Sequence, residues 1–182
     1  MKKEEAKPRS YAPWVLRIFL LSVVLSAALS LASGVALEDA GYPLAVCVLL
    51  AFIFLGIVFD VIGVAVTAAD AKPFHSMASH REKGAKEALY LIRNAEKVSS
   101  FCNDVVGDIC GIVSGTTAAV IVAKLQAGFN TRSILISIAV TALISGVTIG
   151  GKAIGKRIAM TRSKNVVYHA AKVLRVFHIG RK

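Results

Sequence analysis

Four ionisable residues sit inside apolar runs, where charge is expensive: Asp60, Asp104, Asp108 and Lys152. Such residues should face a protein interior or a water-filled cavity, and by default they mark function. Carboxylates are hard oxygen donors, and Asn103 adds an amide oxygen beside two of them. If the three Asp and the Lys converge in ionised form, their charges sum to −2, the complement of one divalent cation. Carboxylate oxygens with retained water suit a hard divalent cation, as magnesium prefers. Asp60, Asn103, Asp104 and Asp108 are therefore the candidate metal ligands. Thr67, Ser145, Thr148 and Lys152 are further intramembrane polar groups. Lys152 leaves two alternatives open. It pairs with Asp104 or Asp108 as an internal ion pair in place of a metal, or it snorkels to the headgroups and leaves the Asp residues free. Proton-coupled movement through the Asp residues is a third option.

The elements that carry these residues read as four membrane spans. Ser99 to Leu125 is long and apolar enough to cross a bilayer. At about 100° per residue, Asp104, Asp108, Gly111 and Gly115 share one stripe, and its glycines let a second helix approach. Trp14 to Leu37 is the first span, with Tyr11 and Trp14 as interface anchors. The competing reading of that segment is a cleaved signal peptide. Leu44 to Ala69 is the second span, with Gly56, Asp60, Gly63 and Thr67 on one face. Ser133 to about Gly151 is the fourth. There Ser137, Thr141, Ser145, Thr148 and Lys152 form a polar stripe and Gly146–Gly150 a GxxxG step. Two amphipathic surface helices are expected, one within residues 82–97 and one over Val166 to Phe177.

Loop charge orients these spans. Segments 1–9, 72–97 and 152–182 hold four, six and nine Lys or Arg, whereas 38–43 holds none and 126–132 only Arg132. The alternation puts both termini and the middle loop in the cytoplasm of a cell-membrane protein, with the basic segments against anionic lipid. The fold class is thus all-α, multi-pass and transmembrane. The net charge of +11 is explained by these loops. Few aromatics are interleaved with the basic residues, so nucleic acid is not an expected partner. Cys47, Cys102 and Cys110 fall in apolar runs at no metal-ligand spacing and read as small core residues. His75, His80, His169 and His178 read as solvated surface residues. There is no nucleophile–base pair, P-loop or HExxH, so an enzyme is not expected.

Three pieces of sequence, in order, resemble the transmembrane domain of the CNNM/CorC (CorB) magnesium transporter family. FDVIGVAVTAADAKPF, leading into HREKGAKEALYLIRNAEKVSS, is similar to the family's FFSxSExALxSA pattern and the Gly-Ala-Lys-containing surface helix that follows it. Asn103 to Asp108 resembles its GNxxxN, and Gly151 to Ala159 its GExxPKxxA. The resemblance covers residues 44–177. It leaves 1–43 as a leader, an additional span and an outer loop, and 178–182 as a basic tail. It implies a homodimer and a magnesium site near the membrane centre. The family's ligand positions are changed here: its serines read Asp60 and Ile62, the glutamate of the first motif is Gly63, and the asparagines become aspartates. The last motif has Lys152 for its acid and Gly155 for its proline. The CBS pair that follows the domain in the family does not follow here, so a separately encoded CBS-domain partner is one expectation. Two functions stay open: divalent-cation transport, and a non-transporting regulatory or partner role with the ion site plugged by Lys152.

Overall fold

The computed structural model describes residues 12–38, 41–128 and 134–176. They fold as α1 (Ala12–Glu38), α2 (Tyr42–Ala68), α3 (Lys72–Ser79), α4 (Ala85–Arg93), α5 (Ala95–Ser100), a π-helix (Phe101–Gly107), α6 (Asp108–Gly128), α7 (Ile134–Thr161) and α8 (Ser163–Val176). Four stretches are long and apolar enough to cross a membrane: Trp14–Glu38, Tyr42–Ala68, Ala95–Gly128 and Ile134–Thr161. At 1.5 Å per residue α2 is about 40 Å long, enough for a hydrocarbon core of about 30 Å with some tilt. The protein is an all-α, multi-pass membrane protein. The leader 1–9, the tail 178–182, Tyr11 and His178 lie outside the described residues.

α2 is the hub, touching α1, α4, α5, the π-helix, α6, α7 and α8. Its composition suits that place: near-continuous apolar sequence around Gly56 and Gly63, both buried. At the basic end, α3, α4 and α8 fold back under α2. There Ala65 and Val66 pack with Phe74, Ala88, Leu89, Ala159, Val167 and Ala171. Phe74 is fully buried, so truncating its ring to Ala should cost about 3–5 kcal/mol. At the opposite end Leu37, Ala45, Leu49, Ile53, Ala118 and Ile121 form a second cluster. α1 lies along α6, where Ile18, Leu25 and Leu29 meet Val105, Ile109 and Val113. A Ser33–Thr117 hydroxyl contact of 3.2 Å and the Lys124 ammonium donating to Leu37 O at 2.9 Å tie the pair.

Three boundaries differ from the sequence reading. The helix expected within 82–97 is two. α4 begins after Gly84, whose φ of +95° a side chain would resist, and Asn94 separates it from α5. α5 then runs through the π-helix into α6 as one span. α7 continues ten residues past Gly151 to Thr161, because Gly151 and Gly155 let it stay against α2. The Lys residues after Gly151 therefore ride on a packed helix rather than opening a tail. Cys47 is exposed on α2, unlike the buried Cys102 and Cys110, so it is not a core residue.

Candidate functional site

Asp60 is the one expected ligand that the fold buries fully, at 5% exposure. Position 60 falls on the inner face of α2 with Gly56 and Gly63. Its Oδ2 accepts no hydrogen bond among the described residues. Lys156 of α7 approaches it at 3.9 Å, an ion pair too long to be a hydrogen bond. The Lys156 side chain is 54% exposed, so the pair joins a buried carboxylate to a half-solvated ammonium.

Three residues further on, Gly63 receives Asn103. An added Cβ on Gly63 would lie 2.8 Å from Asn103 Cγ, so the carboxamide occupies the space that a side chain would take. Asn103 Nδ2 donates to Ser99 Oγ at 3.2 Å, while its Oδ1 is buried without a donor. Two buried acceptor oxygens, Asp60 Oδ2 facing Lys156 of α7 and Asn103 Oδ1 beside Gly63, therefore have no hydrogen-bond donor among the described residues. Orphaned buried acceptors are uncommon and call for an explanation such as an ion.

Lys152, one turn before Lys156, points to another part of the seam. Its Nζ is 3.9 Å from where a Gly107 side chain would begin. It closes a crevice of about 10 Å³ lined by Gly56, Gly107, Cys110, Ser114 and Thr148, at the limit for one water. Gly56 permits the approach of α6, since a Cβ there would sit 3.1 Å from Cys110 Cβ.

Asp104 and Asp108 do not join Asp60. Both are exposed, as are Gly111 and Gly115 on the same side of the span. Ser100 Oγ donates to Asp104 Oδ2 at 2.6 Å. The stripe read from the sequence exists, but it faces out. Asn103, the neighbour of Asp104 on the π-helix, is the residue that turns in toward Gly63. Among the described residues no three His, Cys, Asp or Glu side chains gather as a metal group. Convergence of Asp60, Asp104, Asp108 and Lys152 in one cavity is thus not what a single chain forms. The Thr67 hydroxyl is exposed and donates to its own helix at Val64 O, and the Thr148 hydroxyl to Ile144 O. Ser145 is exposed. His75, His80 and His169 are exposed too, and His169 Nδ1 bonds Asn165 O.

Lys156 is the functional candidate that sequence reasoning missed. The signal was its i+4 spacing from Lys152, which matters only if the helix continues past Gly151. No protein-family model matches the chain, and the searches of curated proteins and of solved structures return no significant match.

Proposed function

We propose that this chain is built like the transmembrane domain of the CNNM/CorC magnesium transporters and takes a divalent cation as cargo at the Asp60–Asn103 seam. The carrying observation is that two buried acceptor oxygens, Asp60 Oδ2 and Asn103 Oδ1, accept no hydrogen bond among the described residues. Hard oxygens of one carboxylate and one carboxamide, with retained water filling the remaining positions, suit magnesium. The kinship is supported by where the three similar pieces lie. Asn103 of the second packs on Gly63 of the first, and Gly151 and Gly155 of the third press on Ile57 and Val61. All three meet along α2 between Ile57 and Gly63, the stretch that carries Asp60. Lys156 then acts as a tethered counter-charge that holds the carboxylate until the ion displaces it.

A specific observation favours a second reading. Asp60 brings one negative charge, α7 presents Lys152 and Lys156 to the same seam, and Asp104 and Asp108 face outward. In that reading the seam stays closed and the protein acts as a regulatory partner of a CBS-containing subunit. The plug at Asp60 is Lys156, with Lys152 filling the neighbouring crevice. Under either reading the basic ends of the spans lie in the cytoplasm at the cell membrane. The protein pairs as a homodimer, for which Gly111, Gly115, Gly146 and Gly150 offer open faces with no atom within 4 Å of an added Cβ.

Magnesium titration by calorimetry on the detergent-solubilised protein separates the readings. Cargo binding predicts a saturable signal in wild type, its loss in Asp60→Asn, and at least tenfold tighter binding in Lys156→Gln. A signal in Lys156→Gln alone supports the closed seam. No signal in any of the three removes the cation reading.

A further inference from the structure

A cavity of about 1110 Å³ lies outside the Asp60 seam, between the basic half of α2, α5 with the π-helix, the end of α7, and α8. It exceeds the usual 300–1,000 Å³ of a small-molecule site. The cavity is open on one side, so its mostly apolar lining is left for the surroundings to cover. Its walls share one gradient. Along α5 and the π-helix the lining passes from Lys97 to Phe101, and from Arg162, at the junction of α7 and α8, back to Ile158 of α7. In both, the cation is toward the basic end and the hydrophobe deeper in the span. Val58 and Ile62 of α2 complete the apolar floor. No acidic residue lines the cavity, and among the described residues neither Lys97 nor Arg162 forms an ion pair with a carboxylate.

From this geometry we infer that the cavity is a binding site for one anionic phospholipid. The headgroup phosphate sits between Lys97 and Arg162, and the acyl chains lie against Val58, Ile62, Phe101 and Ile158. The chemistry matches on both halves. Apolar walls would keep such a space free of stable water, and lipid chains are what the bilayer supplies at that depth. Basic pockets at the ends of membrane helices select anionic headgroups. The arginine guanidinium adds a bidentate fork for phosphate, which a general attraction to the membrane surface would not need.

The test is native mass spectrometry of the full chain from mild detergent, titrated with dioleoyl phosphatidylglycerol or dioleoyl phosphatidylcholine. Wild type should retain one phosphatidylglycerol per chain with at least fivefold preference over phosphatidylcholine. The Lys97→Gln/Arg162→Gln variant should bind the two lipids equally. Both side chains are exposed, so its melting temperature should stay at the wild-type value, separating lost binding from lost folding. Val173→Trp on α8, a partly exposed lining position, should fill the cavity and reduce adducts of both lipids. Equal binding of the two lipids by wild type would overturn the proposal, as would a preference that survives removal of both charges. So would Val173→Trp leaving adducts intact while converting dimer to monomer, because a second copy would then be the occupant.

Discussion

Replacing Lys156 by Gln should destabilise the protein, whereas replacing Asp60 by Leu should not. At the observed 3.9 Å, opposite unit charges attract by about 4 kcal/mol at an effective dielectric of 20 and about 1 kcal/mol in water. Asp60 is almost wholly buried but Lys156 is half exposed, which screens the pair toward the lower figure. Lys156→Gln should therefore cost about 1–2 kcal/mol, since it strands a buried carboxylate that already lacks a hydrogen bond. Asp60→Leu removes the desolvated charge and frees Lys156 to reach solvent. Exchanges of that kind are commonly neutral or stabilising. Thermal unfolding in mild detergent should order the variants as Asp60→Leu at or above wild type, and Lys156→Gln lower by a few degrees. Raising the salt should narrow the gap only in part, because one partner is shielded from ions. The opposite order would mean that Asp60 is held by something other than Lys156.

Further outcomes follow from the packing and the charge pattern. Gly155→Ala should cost about 1–3 kcal/mol of overpacking, since its Cβ would lie 2.6 Å from Val61 Cγ2. Gly146→Ala, in open space on the same helix, should leave the melting temperature of the isolated chain unchanged or raised; equal losses for both would mean that α7 does not pack on α2 as described. In a cysteine-free background, a membrane-impermeant maleimide applied to intact cells should label Glu38→Cys and spare Ser79→Cys; the reverse would invert the topology. Gly115→Cys should cross-link to its counterpart in membranes if the outward face of α6 joins two copies, and a chain that stays monomeric on oxidation would exclude that seam.

Hydropathy and loop charge made the four spans legible, because they register how long a segment is apolar and which ends are basic. They do not register where a face points. The stripe of Asp104, Asp108, Gly111 and Gly115 has the expected periodicity, yet it faces outward, while Asn103 on the π-helix turns in to Gly63. Nothing in FCNDVVG distinguishes i→i+5 from i→i+4 bonding before its neighbours are known. The glycines show the same limit. The GxxxG step at Gly146 and Gly150 is open, whereas Gly56, Gly63, Gly151 and Gly155 carry the close contacts. Asp60 was legible as a lone charge in an apolar run. Its partner was not, because a basic stretch after an apolar one reads as a tail until Gly155 is seen pressed against Val61.

Passage of a divalent cation through the seam at Asp60, as proposed, is read with purified protein in liposomes holding a magnesium-sensitive dye, with Asp60→Asn as the paired control. Wild-type vesicles should fill along an imposed magnesium gradient, and Asp60→Asn vesicles should stay at the rate of protein-free liposomes. Equal rates for wild type and Asp60→Asn, or wild type no faster than protein-free liposomes, would contradict it.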